Sequence, residues 1–280
     1  MATVATATPH RTTQHAVRTA KPGLLIPSFS LWQREIVRFY RQRARVIGVI
    51  ASPLLFWVAF GAGFSHSFSS GNAGASGNAF GYFFPGSIVM IVLFTAIFSM
   101  MSLIQDRNEG FLLTVLASPV SRSAIVLGKV LGGATLAAIQ GLIFLLFSPL
   151  AGVHPSLAGV LLAAAVILLI SFEITALGFT IAWPMDSTQA FHAIVNLILL
   201  PLWLLSGALF PADKASGWLR DIMLANPLTY GVDALRNGLD PAAHTDHSLP
   251  INLAVTVGFC LVTFATSWAV VNRRTRKPAA

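Results

Sequence analysis

The sequence predicts an all-α integral membrane protein. It should have six transmembrane helices with both termini cytoplasmic, an N-terminal amphipathic interfacial helix, and re-entrant outer helices before the last span. Three observations carry this. Of the 280 residues 55% are apolar and only 10% are charged, a balance at which a water-soluble domain would aggregate. Runs of about 17–25 apolar residues recur, matching the roughly 30 Å hydrocarbon core of a bilayer. Lysine and arginine crowd one set of loops and avoid the other, as cytoplasmic retention of positive loops requires. No run has strand alternation, which argues against a barrel.

Residues 1–27 are rich in Thr, Ala and Pro, contain no acid, and have no apolar core of signal-peptide length. They read as a disordered cytoplasmic tail, although an acid-poor leader of this kind also fits an organellar transit peptide. The transmembrane domain is expected over 28–271, followed by a basic tail, 272–280. From Ser28 to Arg45 the pattern changes. Phe29, Trp32, Ile36, Phe39 and Tyr40 recur at helical spacing, Arg34, Arg38, Arg41 and Arg45 mark another face, and Ser30 with Gln33 has capping-box spacing. This predicts a helix on the cytoplasmic surface, its arginines either toward anionic headgroups or acting only as a topology anchor.

The six spans are placed at 46–64, 83–104, 125–150, 157–183, 190–205 and 251–271, with Pro53, Pro85, Pro149, Pro184 and Pro201 bending or ending helices. Basic residues precede the first span and follow the last. Loops 65–82 and 151–156 contain neither Lys nor Arg, and 206–250 sets three basic residues against five aspartates. The formal charge of +8 thus sits where topology demands it and does not signal nucleic-acid binding. The single cysteine, Cys260, permits no intrachain disulfide.

Between the second and third spans lies QDRNEGFLLTVLASPVSRS, residues 105–123. With a start at Glu109, Phe111, Leu112, Val115 and Leu116 share one face of a short helix, and Pro119 holds Ser118 out of helical geometry. The charged end, Asp106, Arg107 and Glu109, is expected to face a partner; the alternative is an ordinary amphipathic loop. Beyond the fifth span, Asn226 is a good N-cap, Pro227 suits the first turn and Gly238 is a candidate terminator. They outline a helix over 227–237 preceded by an amphipathic turn at Trp218, Leu219, Ile222 and Met223. Such a pair is either re-entrant, its broken backbone buried in protein, or a loop resting on the membrane.

Isolated polar residues are weaker signals. Glu173 is the acid well inside a span, and an intramembrane carboxylate is costly. It either meets substrate or a proton, or pairs with a hydroxyl such as Thr175 or Thr180. Asp186 and His192 read as loop residues. His244, Asp246 and His247 read as solvated residues of an acidic loop, and no metal site is assigned. Gly128 and Gly132 have helix-packing spacing, expected inside one protomer.

Two blocks carry a resemblance. The first is Glu109-Gly110, Ser118-Pro119 and Gly128-Lys129, with Arg122 between. The second is Ser206-Gly207, Phe210-Pro211, Asn226-Pro227-Leu228-Thr229-Tyr230 and Ala234-Leu235-Arg236. In order and in these topological positions they resemble the permease subunits of type-2 ATP-binding-cassette exporters, over about 28–271. The resemblance implies that 105–122 contacts a nucleotide-binding subunit as a coupling helix, that 28–45 is the connecting helix, that 206–238 gates the outer exit, and that two permeases pair with two ATPases. It departs at Phe111, where Thr after Gly is usual.

No phosphate-binding loop is present: GKV at 128–130 lacks the hydroxyl residue needed beside the lysine. The chain is therefore expected to be no enzyme, to bind no cofactor itself, and to leave ATP and magnesium to a partner ATPase. Membrane lipids and a second permease copy are the other partners expected, in a bacterial inner membrane. The cargo class is an amphipathic drug, lipid or glycan. Phe56, Trp57, Phe60, Phe83, Phe84 and Trp203 are candidates for its path or for a lipid-facing belt. The rival reading is a lipid- or acyl-transferring membrane enzyme using Glu173 or His192, against which stands the lack of a convergent set of titratable groups.

Overall fold

The computed structural model describes residues 23–41, 43–64, 79–243 and 245–273. The described residues form helices in the order α1 (Leu25–Arg41), α2 (Arg43–Gly63), α3 (Ala79–Ser99), α4 (Met101–Asn108), α5 (Phe111–Ala117), α6 (Arg122–Leu145), α7 (Leu157–Ala182), α8 (Thr188–Trp203), α9 (Gly217–Ala225), α10 (Pro227–Leu239) and α11 (Leu249–Asn272). Side-chain oxygens begin several of them. Ser121, Ser156 and Ser187 accept from the backbone N–H three residues on, at 3.2, 3.1 and 3.3 Å, and Asn226 accepts from Leu228 N at 3.0 Å.

Five helical stretches are long and apolar enough to cross a membrane: Ala79–Asn108, Arg122–Leu145, Leu157–Ala182, Thr188–Ala208 and Leu249–Asn272. The expected first span, 46–64, coincides with α2, which is free of charged residues from Val46 to Gly63 and is not one of these five stretches. The second span starts earlier and runs further than 83–104, because α4 carries the helical path through Asp106 and Arg107. The third ends at Leu145 and passes into a short 3-10 turn, Ser148–Ala151, around Pro149.

α3 is the centre of the bundle, with 83% of its apolar window buried against 28% for α11; it packs on α2, α6 and α7. α11 lines the outside of α7 and shows Leu261, Val262 and Trp268 outward, while α8 shows Leu197 and Leu200. Such apolar exposure is expected of a surface solvated by lipid. Members of the aromatic set at 56–84 join helices: Trp57 meets Phe84 and Phe144, and Phe56 meets Trp203, at ring separations of 5.7, 5.8 and 5.1 Å.

Two expectations about α1 are corrected. The helix begins at Leu25, so Ser30 lies inside it and donates back to the Ile26 carbonyl (3.1 Å) instead of forming a capping box. Nor does the tail extend to residue 27, since Ser121 N–H donates to the Gly23 carbonyl at 3.4 Å and ties the start of α1 to the α5–α6 link. Ser28, Leu31, Glu35 and Phe39 form the buried face of α1, which packs along α6. Gly128 and Gly132 make that approach possible. A Cβ on Gly128 would lie 2.6 Å from Leu31 Cβ, and one on Gly132 would lie 2.7 Å from Glu35 Cβ. The pair is thus a packing stripe inside the protomer.

Candidate functional site

The bundle has two distinct ends. One gathers the C-terminal ends of α3/α4, α7 and α11 with the start of α6; Arg122 donates to the Val271 carbonyl at 3.3 Å, and Arg107 to the Met185 carbonyl at 3.0 Å. The other gathers the start of α3, the end of α8, and α9–α10.

At the first end a buried charge cluster fastens α1, α4 and α6 together. Lys129, 1% exposed in the middle of an apolar helix, donates to Glu35 Oε1 and Asp106 Oδ2 at 2.5 Å each and to Ser102 Oγ at 3.1 Å. Asp106 also accepts a bidentate pair from Arg34 (2.7 and 2.7 Å) and a bond from Arg38 at 2.6 Å. Arg38 reaches on to Gln105 at 2.8 Å and to Glu109 at 3.5 Å. Three cations thus enclose two buried acids, with the exposed Glu109 at the rim. Planar guanidinium forks suit this sharing of one carboxylate.

This corrects two expectations. Asp106 is 0% exposed and faces no partner directly, and Arg34 and Arg38 turn inward to acids, not outward to headgroups. Of the expected arginine face, Arg41 is exposed. Trp32 also turns inward, donating to Thr135 Oγ1 at 3.1 Å. Glu35 and Ser102 were not singled out from sequence, and Lys129 was read only as part of the Gly128-Lys129 pair. The available signal was Glu35 within the Leu31–Phe39 stripe, together with a lone lysine inside an apolar span; charges there require partners.

The continuation of α4 is a hinge followed by a short helix. Glu109 is 60% exposed at its side chain, and Gly110 has φ +79°, a left-handed conformation that glycine adopts without strain. The helix starts at Phe111, not Glu109, and Ser118 is extended before Pro119, as expected. Leu112 is buried, the Arg34 guanidinium lies 3.7 Å above the Phe111 ring, and Leu113 and Leu116 face outward. Phe111, where Thr is usual in the resemblance, is therefore a stacking platform for the charge cluster. Arg107 joins this segment to the α7–α8 turn through the Trp183 and Met185 carbonyls and Asp186, the last at 3.2 Å. Asp186 is thus an anchored loop residue, and His192 lies on α8 against Phe98 at 5.0 Å.

At the other end α8 breaks. Residues Leu204–Ala208 follow it in a π-type turn in which Gly207 has φ +78°, and Gly86 of α3 packs so closely there that a Cβ would lie 2.7 Å from Ala208 Cβ. The carbonyls released by the break are taken up by side chains of the second sequence block. Asn226 Nδ2 donates to Leu202 O at 2.6 Å and Arg236 to Gly207 O at 3.0 Å, while Thr229 Oγ1 donates to Met223 O of α9 at 2.6 Å. Ser206 donates to Trp203 O at 2.6 Å, Trp203 Nε1 to Gly86 O at 2.9 Å, and Tyr230 to Leu224 O at 2.9 Å. Backbone broken next to an apolar bundle must be satisfied by protein, which is why these residues occur together. Phe210 and Pro211 carry the chain out, half-buried. α10 runs through Gly238 to Leu239. Gly238 is therefore no terminator but a crossing residue, where a Cβ would lie 3.2 Å from Gly159 O on α7.

Arg236 also lies 4.9 Å over the Tyr82 ring and 3.4 Å from Asp233 Oδ1. Burial pushes the Asp233 carboxyl up to about 6, with Arg236 pulling the other way. A folded-state value above the ordinary carboxylate range means that the fold favours the neutral acid, so stability present at low pH is lost as pH rises through about 6. The α9–α10 pair is expected to be more heat-stable at pH 5 than at pH 7.5. Asp233→Asn should remove on the order of 2 kcal/mol of that difference, measured by thermal unfolding across pH.

Of the residues weighed for metal binding, His244 lies outside the described residues, Asp246 is 3.7 Å from Arg220, and the His247 ring lies tilted against Tyr230 at 5.0 Å. No group of three or more metal-ligating side chains occurs among the described residues. Glu173 is 0% exposed and bonds to neither Thr175 nor Thr180, both of which donate to carbonyls of their own helix.

A bundle of membrane-length helices, with one end fastened by charge and the other closed by a satisfied helix break, defines a polytopic membrane protein of the permease kind. The chain belongs to the ABC-2 type transporter family, whose family model matches residues 28–239, and it is a membrane permease of an ABC transporter. It is 29% identical over 211 residues to a putative transport permease ycf38 of Cyanophora paradoxa, covering 74% of this chain and 72% of that protein. The ycf38 protein of Porphyra purpurea gives 28% over 210 residues, with the same coverage. Nodulation protein J of Neorhizobium galegae is 24% identical over 264 residues, 91% of this chain and 96% of that one.

Proposed function

We propose that the chain is the permease half of an exporter. It would move an amphipathic drug, lipid or glycan across a bacterial inner membrane on energy supplied by a separate ATPase subunit that holds the ATP and magnesium. In this reading α2 completes six spans with both termini cytoplasmic, two permease copies enclose the path, and α9–α10 gate its outer exit. The observation that carries it is the Gly110 hinge. It presents α5 with Leu113 and Leu116 exposed, while the residues on either side are fixed to α1, α6 and the α7–α8 turn. A push on α5 is thereby delivered to four helices at once. Exposed leucines beside an exposed Glu109 suit a docking surface with an apolar centre and a polar rim.

The test is co-expression with an ABC ATPase subunit from the same genome. Glu109→Arg or Leu116→Asp is expected to reduce ATPase recovery with the tagged permease at least tenfold, with membrane insertion unchanged. Equal recovery with wild type and both variants would contradict the docking role. A reaction product formed in membranes holding this chain alone would favour the enzyme reading.

A further inference from the structure

We propose that Glu173 is a proton-binding site within the membrane-embedded bundle, held as a neutral carboxylic acid in the packing of α7 against α11 seen here. Its residue surface is 0% exposed and neither Oε1 nor Oε2 has a hydrogen-bond partner. The hydroxyls along these two helices are committed elsewhere. Ser171 donates to Ile167 O at 2.6 Å, Thr175 to Ser171 O at 2.5 Å, Thr263 to Phe259 O at 3.0 Å, and Ser267 to Ala176 O at 2.7 Å.

Among the described residues no cation answers the carboxyl group either. The helices packed on α7 are α3, α4, α6, α10 and α11. α3 and α11 contain no charged side chain. On α6, Arg122 binds the Val271 carbonyl and Lys129 binds Glu35 and Asp106. On α4, Asp106 and Arg107 are spent in the charge cluster and the α7–α8 turn, and on α10, Asp233 and Arg236 pair with each other. The titratable group on α11 is Cys260, partly buried. An ionised carboxylate without donor or water is far costlier than a neutral acid in the same place. Glu173 therefore binds a proton as long as the α7–α11 seam is dry, and ionisation requires the seam to admit water. Proton release and opening of the seam are one event.

Infrared spectroscopy of the purified chain in lipid tests this, with Glu173→Gln as a near-isosteric variant that matches the neutral acid. A carboxylic-acid carbonyl band, shifted by deuteration and absent from the variant, is expected at pH 7. Its absence from wild type would overturn the proposal. The same samples carry a built-in reporter, because Cys260 is the single thiol. As pH is raised until the band disappears, the rate of maleimide labelling of Cys260 in wild type relative to Glu173→Gln is expected to rise several-fold. The ratio cancels the intrinsic pH dependence of the thiol. A flat ratio would show that ionisation does not open the seam and would refute the coupling. Equal infrared spectra from two variants of unequal folding are excluded by requiring both proteins to elute as the same species.

Discussion

Replacing Lys129 with methionine is expected to be the most damaging single change at the charged end, costing about 3–5 kcal/mol of stability. Methionine fills the space of the lysine stem but leaves Glu35, 3% exposed, with the Ser102 hydroxyl at 2.6 Å and no cation nearer than Arg34 at 4.0 Å, and deprives Asp106 of one of its three cations. Asp106 keeps both arginines, so the loss should fall mainly on the contact of α1 with α6. The double variant Lys129→Met with Glu35→Gln should recover part of the loss, because it removes the unpaired charge along with its partner. Thermal unfolding in lipid and protease access to the α1–α2 junction are the measurements. Unchanged stability in Lys129→Met would mean that the cluster does not hold α1 in place.

The second large effect is expected from Arg236→Met. This side chain makes three separate contacts, with Gly207 O at 3.0 Å, Asp233 Oδ1 at 3.4 Å and the face of Tyr82. Its loss leaves a released carbonyl and a buried carboxyl without a cation. The cost should be about 2–4 kcal/mol at pH 7.5 and smaller at pH 5, where Asp233 is already neutral. Asp233→Asn in the same chain should return much of the neutral-pH loss while leaving the Gly207 carbonyl uncapped. A loss independent of pH would show that Arg236 acts on the helix break alone.

Membrane character and helix order were legible in the sequence because they depend on sums over many residues. Residues 157–182 could hardly be anything but a long apolar helix. The limits of that approach show at Gly238, where a residue read as a stop turned out to be a contact with Gly159. Pairings between distant segments were not legible. Nothing local in the sequence says that Arg34, Asp106 and Lys129 meet, since the distances along the chain are set by how α1 folds back on α6. The second block was legible as a group, but its physical reason, the capping of carbonyls at Leu202 and Gly207, required the break in α8 to be seen. Glu173 was legible as an anomaly, and the structure sharpened it by removing the hydroxyl partners that would have explained it.

The central claim is that α5 is where an ATPase subunit drives this permease. Photo-crosslinking tests it most directly. A photoreactive amino acid placed at Leu113, 65% exposed on α5, should form a covalent adduct with the co-expressed ATPase. The same residue placed at Ile251, exposed at the start of α11 at the other end of the bundle, should form none. Adducts from Ile251 and none from Leu113 would contradict both the docking surface and the orientation on which the account rests.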